Sequence, residues 1–85
     1  MKKWCVYIVE CSDGTFYTGI TTNINKRLLT HNKGKGSRYT RTRLPVELRA
    51  LFEAVDRSSA SKEEYRIKQL SRIEKIKLFN VDEKI

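Results

Sequence analysis

Apolar residues follow two different periods in this chain. From Trp4 to Cys11 they run almost unbroken through β-branched and aromatic side chains, which predicts a mostly buried strand. Ser12-Asp13-Gly14 reads as a turn and Thr15 to Thr22 as a second strand, so the chain opens with a hairpin. Loop length decides which side chains share a face. A two-residue loop at Asp13-Gly14 sets Tyr7 opposite Ile20 and sends Tyr17 to the other face. A three-residue loop closed by Gly14 sets Tyr7 opposite Gly19 and diagonal to Tyr17. The Ser-Asp-Gly order favours the longer loop, which predicts both tyrosines on one face.

The period then changes to that of a helix. Asn23 is a fair N-cap for a helix to about Lys33, with Gly34 placed as its stop. Ile24 and Leu28 form its apolar stripe, and Arg27 and His31, four apart, fall beside that stripe rather than opposite it. Residues from Lys33 to Arg43 read as a Gly/Ser/Thr loop. Pro45 opens a third strand, Val46 to Val55, with its Leu and Phe residues facing the core. Asp56 or Ser58 starts a helix whose stripe holds Ala60, Glu64 and Ile67. Ser71-Arg72-Ile73-Glu74 has capping-box form and starts a last helix to about Phe79. The expected fold is α/β (α+β): a small three-stranded antiparallel sheet flanked by helices, in the order ββαβαα. One domain over residues 1–80 is expected, with 81–85 a frayed tail.

A chain of 85 residues supports one domain with a modest core. Its 18 Lys plus Arg against 10 Asp plus Glu give a net charge of +8, which suits a polyanion, either nucleic acid or an anionic membrane surface. No apolar run approaches the roughly 18 residues of a membrane span. Met1-Lys2-Lys3-Trp4 begins like a signal peptide, but the apolar stretch ends at Glu10 without a small-residue cleavage site, so a cytoplasmic protein is expected. Cys5 and Cys11 stand about 20 Å apart on one strand at roughly 3.3 Å per residue, too far for a disulfide, so buried free thiols are expected.

Positive charge is concentrated. No acid occurs between Asp13 and Glu47, and Lys33, Lys35, Arg38, Arg41 and Arg43 fall in one stretch with Tyr39 among them. Those residues are candidates for a phosphate-binding surface, with Tyr39 able to stack on an unpaired base. The alternative is a solvated, flexible loop.

Tyr7 in Cys5-Val6-Tyr7, Tyr17 in Tyr17-Thr18-Gly19, Arg27, His31 and Glu64 supply phenols, a guanidinium, an imidazole and an acid in a fixed order. The chain resembles a GIY-YIG domain, close to the small stand-alone bacterial members of the UPF0213 group, over about Trp4 to Phe79. That resemblance implies a metal-dependent endonuclease fold. Tyr17, Arg27 and Glu64 would form the active site, with Tyr7 from the first motif and His31 where relatives carry a proton-handling histidine or tyrosine. It implies one divalent ion, Mg²⁺ or Mn²⁺, on Glu64. It also implies a nucleic-acid substrate, DNA ahead of RNA, cut by structure or as single strands and connected with repair or recombination. A protein partner or homodimer stays open, and no membrane is involved.

Chemistry agrees with that assignment. Cutting a phosphodiester needs a nucleophilic water, stabilised phosphoryl charge and a means for the alkoxide to leave. Arg27 offers a fork of donors to non-bridging oxygens, and a single carboxylate with waters suits Mg²⁺. An unperturbed phenol has a pKa near 10, so Tyr17 as a base needs help, which His31 can give as a relay. The chain also departs from the family pattern. Cys5 stands where glycine is common, and Ile20 follows Gly19 where repair-type relatives place lysine. Each residue has a plainer reading too: Tyr7 and Tyr17 as strand aromatics, Arg27 as a stem across the core edge, His31 as packing, and Glu64 as a capping-box partner of Ser61. A non-catalytic nucleic-acid-binding module or accessory subunit is the rival function.

Overall fold

The computed structural model describes residues 3–81. Three strands, β1 (Trp4–Glu10), β2 (Phe16–Thr21) and β3 (Glu47–Ala54), pair antiparallel in the order β2-β1-β3. Four helices accompany them: α1 (Ile24–Asn32), α2 (Arg38–Arg41), α3 (Arg57–Lys68) and α4 (Arg72–Ile76). The sheet and its flanking helices are as expected. The element order is ββααβαα, because the stretch read as a loop contains the single turn of α2.

The hairpin resolves the register. Cys11 donates its N–H to the Thr15 carbonyl at 2.8 Å, so Ser12, Asp13 and Gly14 form a three-residue loop, and Gly14 turns it with a φ of +84°. Tyr7 consequently pairs with Gly19 and Val9 with Tyr17. Asp13 ties the loop down by accepting from the Thr15 N–H at 3.0 Å and from Arg43 Nε at 3.0 Å.

Both faces of the sheet are covered, because side chains alternate along each strand. Val6 and Ile8 of β1, with Ala50 of β3, pack against Ala60 and Ile67 of α3. Tyr7, Val9 and Cys11 face the other way, against Ile24 and Leu28 of α1. β3 keeps pace by a bulge: Ile8 pairs with Ala50 but Val9 pairs with Leu48, so Arg49 is the extra residue. That slip puts Leu48 on the Tyr7 face together with Leu51, which simple alternation forbids for residues three apart.

Helix starts are set by side-chain caps. Asn23 Oδ1 accepts from the Lys26 N–H at 3.1 Å, Asp56 Oδ1 from Ser59 at 2.8 Å, and Ser37 Oγ from Thr40 at 3.1 Å. Asp56 as the N-cap begins α3 at Arg57, which leaves no capping box between Ser61 and Glu64. The capping box at Ser71 and Glu74 is formed as expected, but α4 ends at Ile76 rather than near Phe79.

β3 lies at an edge of the sheet, and the chain end covers part of it. Asn80 Oδ1 accepts from the Leu51 N–H and its Nδ2 donates to the Leu51 carbonyl, both at 2.9 Å. Asn80 and Val81 also donate their N–H groups to the carbonyl of the bulge residue Arg49. An edge strand's free groups are a template for pairing with other chains, and these bonds occupy some of them. Of the tail expected to fray, 82–85 lie outside the described residues. Both cysteines are free; Cys11 is buried as expected, while Cys5 is only half-buried. Among the described residues no helix is long and apolar enough to cross a membrane.

Candidate active site

The site grows from the face of the sheet that carries Tyr7. This residue stands at the middle of the central strand, only 2% exposed, and its ring lies against Gly19 of β2, where a Cβ would come within 2.6 Å of the hydroxyl. Tyr17, diagonal on β2, holds its ring centre 6.4 Å from that of Tyr7. Both tyrosines therefore share one face, as the three-residue loop demands.

His31, in the last turn of α1, is fully buried against them, its ring edge-on to Tyr7 at 5.8 Å and to Tyr17 at 5.5 Å. Its Nε2 lies 2.8 Å from the Tyr7 hydroxyl and its Nδ1 lies 2.9 Å from Thr40 Oγ1. Thr40 is buried as well, and its Oγ1 lies 2.9 Å from Ser37 Oγ. A continuous chain, Tyr7–His31–Thr40–Ser37, thus links the central strand to α2. Either imidazole tautomer satisfies both ring nitrogens, because the hydroxyls at each end can donate or accept. Thr40 and Ser37 escaped notice in the sequence; the capping pattern Ser37-Arg38-Tyr39-Thr40 is the local signal for them.

Arg27 lies one turn before His31 on α1, half-buried, and its charge acts on both Tyr7 and His31. Glu64, on α3, is also half-buried, and its charge too acts on Tyr7. Its carboxylate pairs with Lys68 Nζ at 3.3 Å, one turn along the helix. Burial pushes the Tyr7 phenol well above its usual range; Tyr17 and Glu64 add to that push, and Arg27 partly opposes it. Burial, then the Arg27 charge, holds the His31 imidazole below its usual value. At neutral pH the pair is accordingly a protonated phenol and a neutral imidazole. His31 can pass a proton between Tyr7 and Thr40 but does not itself carry charge there.

This placement has a consequence for stability. Unfolded, His31 takes up a proton near pH 6.5; folded, it does so at lower pH, so between the two values the unfolded chain binds more protons. Stability rises with pH through that window and falls as the pH drops below about 6.5, by at most about 1.4 kcal/mol per pH unit. Asp13, Asp56 and Glu74 are held below the usual carboxylate range by their hydrogen bonds, so their contributions are lost only at lower pH. Melting temperatures measured between pH 5 and 7 are expected to decline toward acid in the wild type. The same decline in His31→Gln would remove His31 as its source.

The basic stretch divides in two. Lys33, Lys35, Arg38 and Arg41 are exposed. Arg43 is not free in the same sense: its Nε donates to Asp13, its Nη1 donates to the Tyr39 carbonyl at 2.7 Å, and its guanidinium lies 4.0 Å from the Tyr39 ring centre. Tyr39 is stacked on Tyr17, with ring centres 6.2 Å apart and planes at 22°. The ring expected to meet an unpaired base therefore already has two partners.

Arg27 opens onto a shallow hollow of about 200 Å³ lined by Thr21, Thr22, Asn23, Lys26, Arg27 and Thr30. Small-molecule sites run from about 300 Å³ upward and enclose their ligand, so this open surface suits a polymer. Lys26 joins the candidates here. A divalent ion fits the donor set in one specific way. Among the described residues no three His, Cys, Asp or Glu side chains are grouped as a metal site. The Glu64 carboxylate is a hard oxygen donor, a chemistry that would suit Mg²⁺ or Mn²⁺ completed by waters and a phosphate rather than a caged ion.

A family model described as the GIY-YIG catalytic domain matches residues 3–77. A UPF0213 protein of Halobacterium salinarum is 54% identical over 74 residues, covering 87% of this chain and 96% of its own. Another from Desulfotalea psychrophila is 57% identical over 82 residues, covering 95% and 74%. Among solved structures, the solution structure of a UPF0213 protein from Bacillus halodurans is 44% identical, with a TM-score of 0.55 over 92% of this chain and 82% of that one. A protein of E. faecalis is 38% identical, with a TM-score of 0.62 over 91% and 82%.

Proposed function

Because the chain belongs to the GIY-YIG family, whose domain is a nuclease domain, we propose that it is a metal-dependent endonuclease acting on DNA in the cytoplasm. Its substrates are single strands or branched structures rather than a sequence, in repair or recombination. The observation that carries this reading is the convergence on Tyr7. Tyr17 and His31 pack against its ring, and the charges of Arg27 and Glu64 both act on its phenol.

In this reading Glu64 holds a divalent ion, which when bound supplies Lewis-acid stabilisation of the phosphate and the leaving oxygen. Arg27 donates to the non-bridging phosphoryl oxygens as charge builds on them. Tyr17, less buried than Tyr7, orients the attacking water and takes or passes its proton. Tyr7 and His31 fix the Tyr17 ring by packing against it, and Thr40 and Ser37 hold His31 and Tyr7 in place in turn. Lys33, Lys35, Arg38 and Arg41 supply sequence-independent attraction for the phosphate backbone. Arg43 and Tyr39 act beside them by shaping the surface next to Tyr17.

The test is a panel of plasmid, single-stranded, flap and branched DNA, with single-stranded RNA as comparison, incubated with Mg²⁺ or Mn²⁺ and with chelator. Cutting of single-stranded or branched DNA that stops in chelator is the expected result. Binding to all of these without cutting under either metal would leave a nucleic-acid-binding module in place of an enzyme.

A further inference from the structure

Two lysines that the mechanism above does not use stand beside Tyr17. A second shallow hollow, about 170 Å³, is lined by Phe16, Tyr17, Thr18, Tyr39, Lys68 and Lys75. Lys68 ends α3 and Lys75 lies in α4, so these cations come from a later part of the sequence than the basic stretch around α2. The first turn of α4 is anchored on the hairpin: Arg72 Nη1 donates to the Gly14 carbonyl at 2.6 Å, and its guanidinium lies 4.4 Å from the Phe16 ring centre. Phe79 packs edge-on to the same ring at 5.2 Å. Lys68 and Lys75 are thereby held at the rim of an aromatic floor that includes Tyr17.

Tyr39, stacked on Tyr17 and with the Arg43 guanidinium over its ring, lines the same hollow, so Tyr17 shares this floor with Lys68 and Lys75. Lys68 also pairs with Glu64, so a phosphate approaching Glu64 from the α3 side meets Lys68. We propose that Lys68 and Lys75 form a phosphodiester-binding subsite on the α3–α4 side of Tyr17, taking the nucleic-acid backbone that continues past the scissile phosphate. A strand laid across Tyr17 then meets ammonium charge beside the bond to be cut. The subsite suits phosphate because its charged groups are two ammonium ions, which meet phosphate oxygens as point charges. This inference rests on the proposed nucleic-acid substrate but not on catalysis.

Its test is a binding measurement in chelator, where no strand is cut, by fluorescence anisotropy of a labelled single-stranded oligonucleotide over a series of salt concentrations. Each phosphate contact contributes about 0.7 to the slope of log K against log salt on a single strand. The double variant Lys68→Gln, Lys75→Gln is expected to lower that slope by about 1.4. A control double variant, Arg57→Gln, Lys62→Gln, removes the same charge from exposed positions in the first half of α3 and is expected to leave the slope nearly unchanged. Equal changes in the two double variants, or no change in either, would overturn the subsite. Absence of salt-dependent binding in the wild type would overturn both the subsite and the nucleic-acid substrate. A wild type that binds with the expected slopes but never cuts with metal would overturn catalysis and leave the subsite standing.

Discussion

Glu64→Gln is expected to reduce metal-dependent cutting by at least about 10³-fold, while binding of the same DNA in chelator stays equal or tightens. The substitution keeps the side chain's volume and removes only its charge. Lewis-acid stabilisation by a bound divalent ion amounts to several kcal/mol, and each 1.36 kcal/mol is tenfold in rate, so its loss through a single ligand reaches about that factor. The binding half of the prediction follows from the ion pair. Glu64 holds Lys68 at 3.3 Å, and an amide in its place leaves that ammonium free for phosphate. Folding is not at stake, since α3 is fixed by the Asp56 cap and by the burial of Ala60 and Ile67, and the amide keeps the shape of the carboxylate. Cleavage and binding rates measured on one flap substrate check both halves. Unchanged cutting would remove Glu64 from the chemistry altogether, and lost binding with lost cutting would mean that the residue serves the surface rather than the reaction.

The sequence shows the site's skeleton through rules that act locally. The Ser-Asp-Gly order is enough to choose the hairpin loop, and the loop is enough to put Tyr7 and Tyr17 on one face. Asn23 marks the start of α1, and a spacing of four places Arg27 and His31 along one side of it. Glu64 stands between Ala60 and Ile67 at helical spacing, and the structure leaves it half-buried and paired with Lys68. Other features escape for physical reasons. α2 is one turn long and lacks an apolar stripe, so no periodicity betrays it; only the cap at Ser37 marks it. The bulge at Arg49 is a property of pairing between β1 and β3, and neither strand encodes it alone. Nor does anything near Asn80 suggest that its amide pairs with Leu51, 29 positions away.

His31 shows most clearly what spacing leaves out. Helical periodicity puts it beside the apolar stripe, where an imidazole is expected to titrate near neutrality. Burial instead keeps it neutral and gives both of its nitrogens partners, one from β1 and one from α2. The partner from α2 makes the basic stretch more than a polyanion-attracting loop. Thr40, in its middle, holds the imidazole ring that in turn holds Tyr7. α2, the proposed substrate surface, and the phenol of Tyr7 are therefore joined by two hydrogen bonds.

That junction also makes Gly36→Ala the substitution with the largest expected effect on stability. A Cβ at Gly36 would fall on the His31 ring, on Nδ1 first and within 2.6 Å of Cγ. His31 is fully buried between Tyr7, Tyr17 and Thr40, so the ring has nowhere to turn. Either the loop lifts away or the hydrogen bond to Thr40 breaks. Overpacking a filled site costs about 1–3 kcal/mol, and a buried polar group left unpaired costs about as much again, so a loss of at least about 2 kcal/mol is expected. In a domain of this size that lowers Tm by roughly 10 °C or more. Gly14 offers the contrast: its φ of +84° is one that alanine tolerates poorly, but nothing lies within 4 Å, so alanine there bears backbone strain alone. The mechanism is separable from a general intolerance of the loop by a double-mutant cycle. With the ring removed in His31→Ala, Gly36→Ala is expected to cost less than about 1 kcal/mol, since space replaces the clash. Equal costs in the two backgrounds would show that Gly36 answers to the backbone of the α1–α2 connection and not to His31.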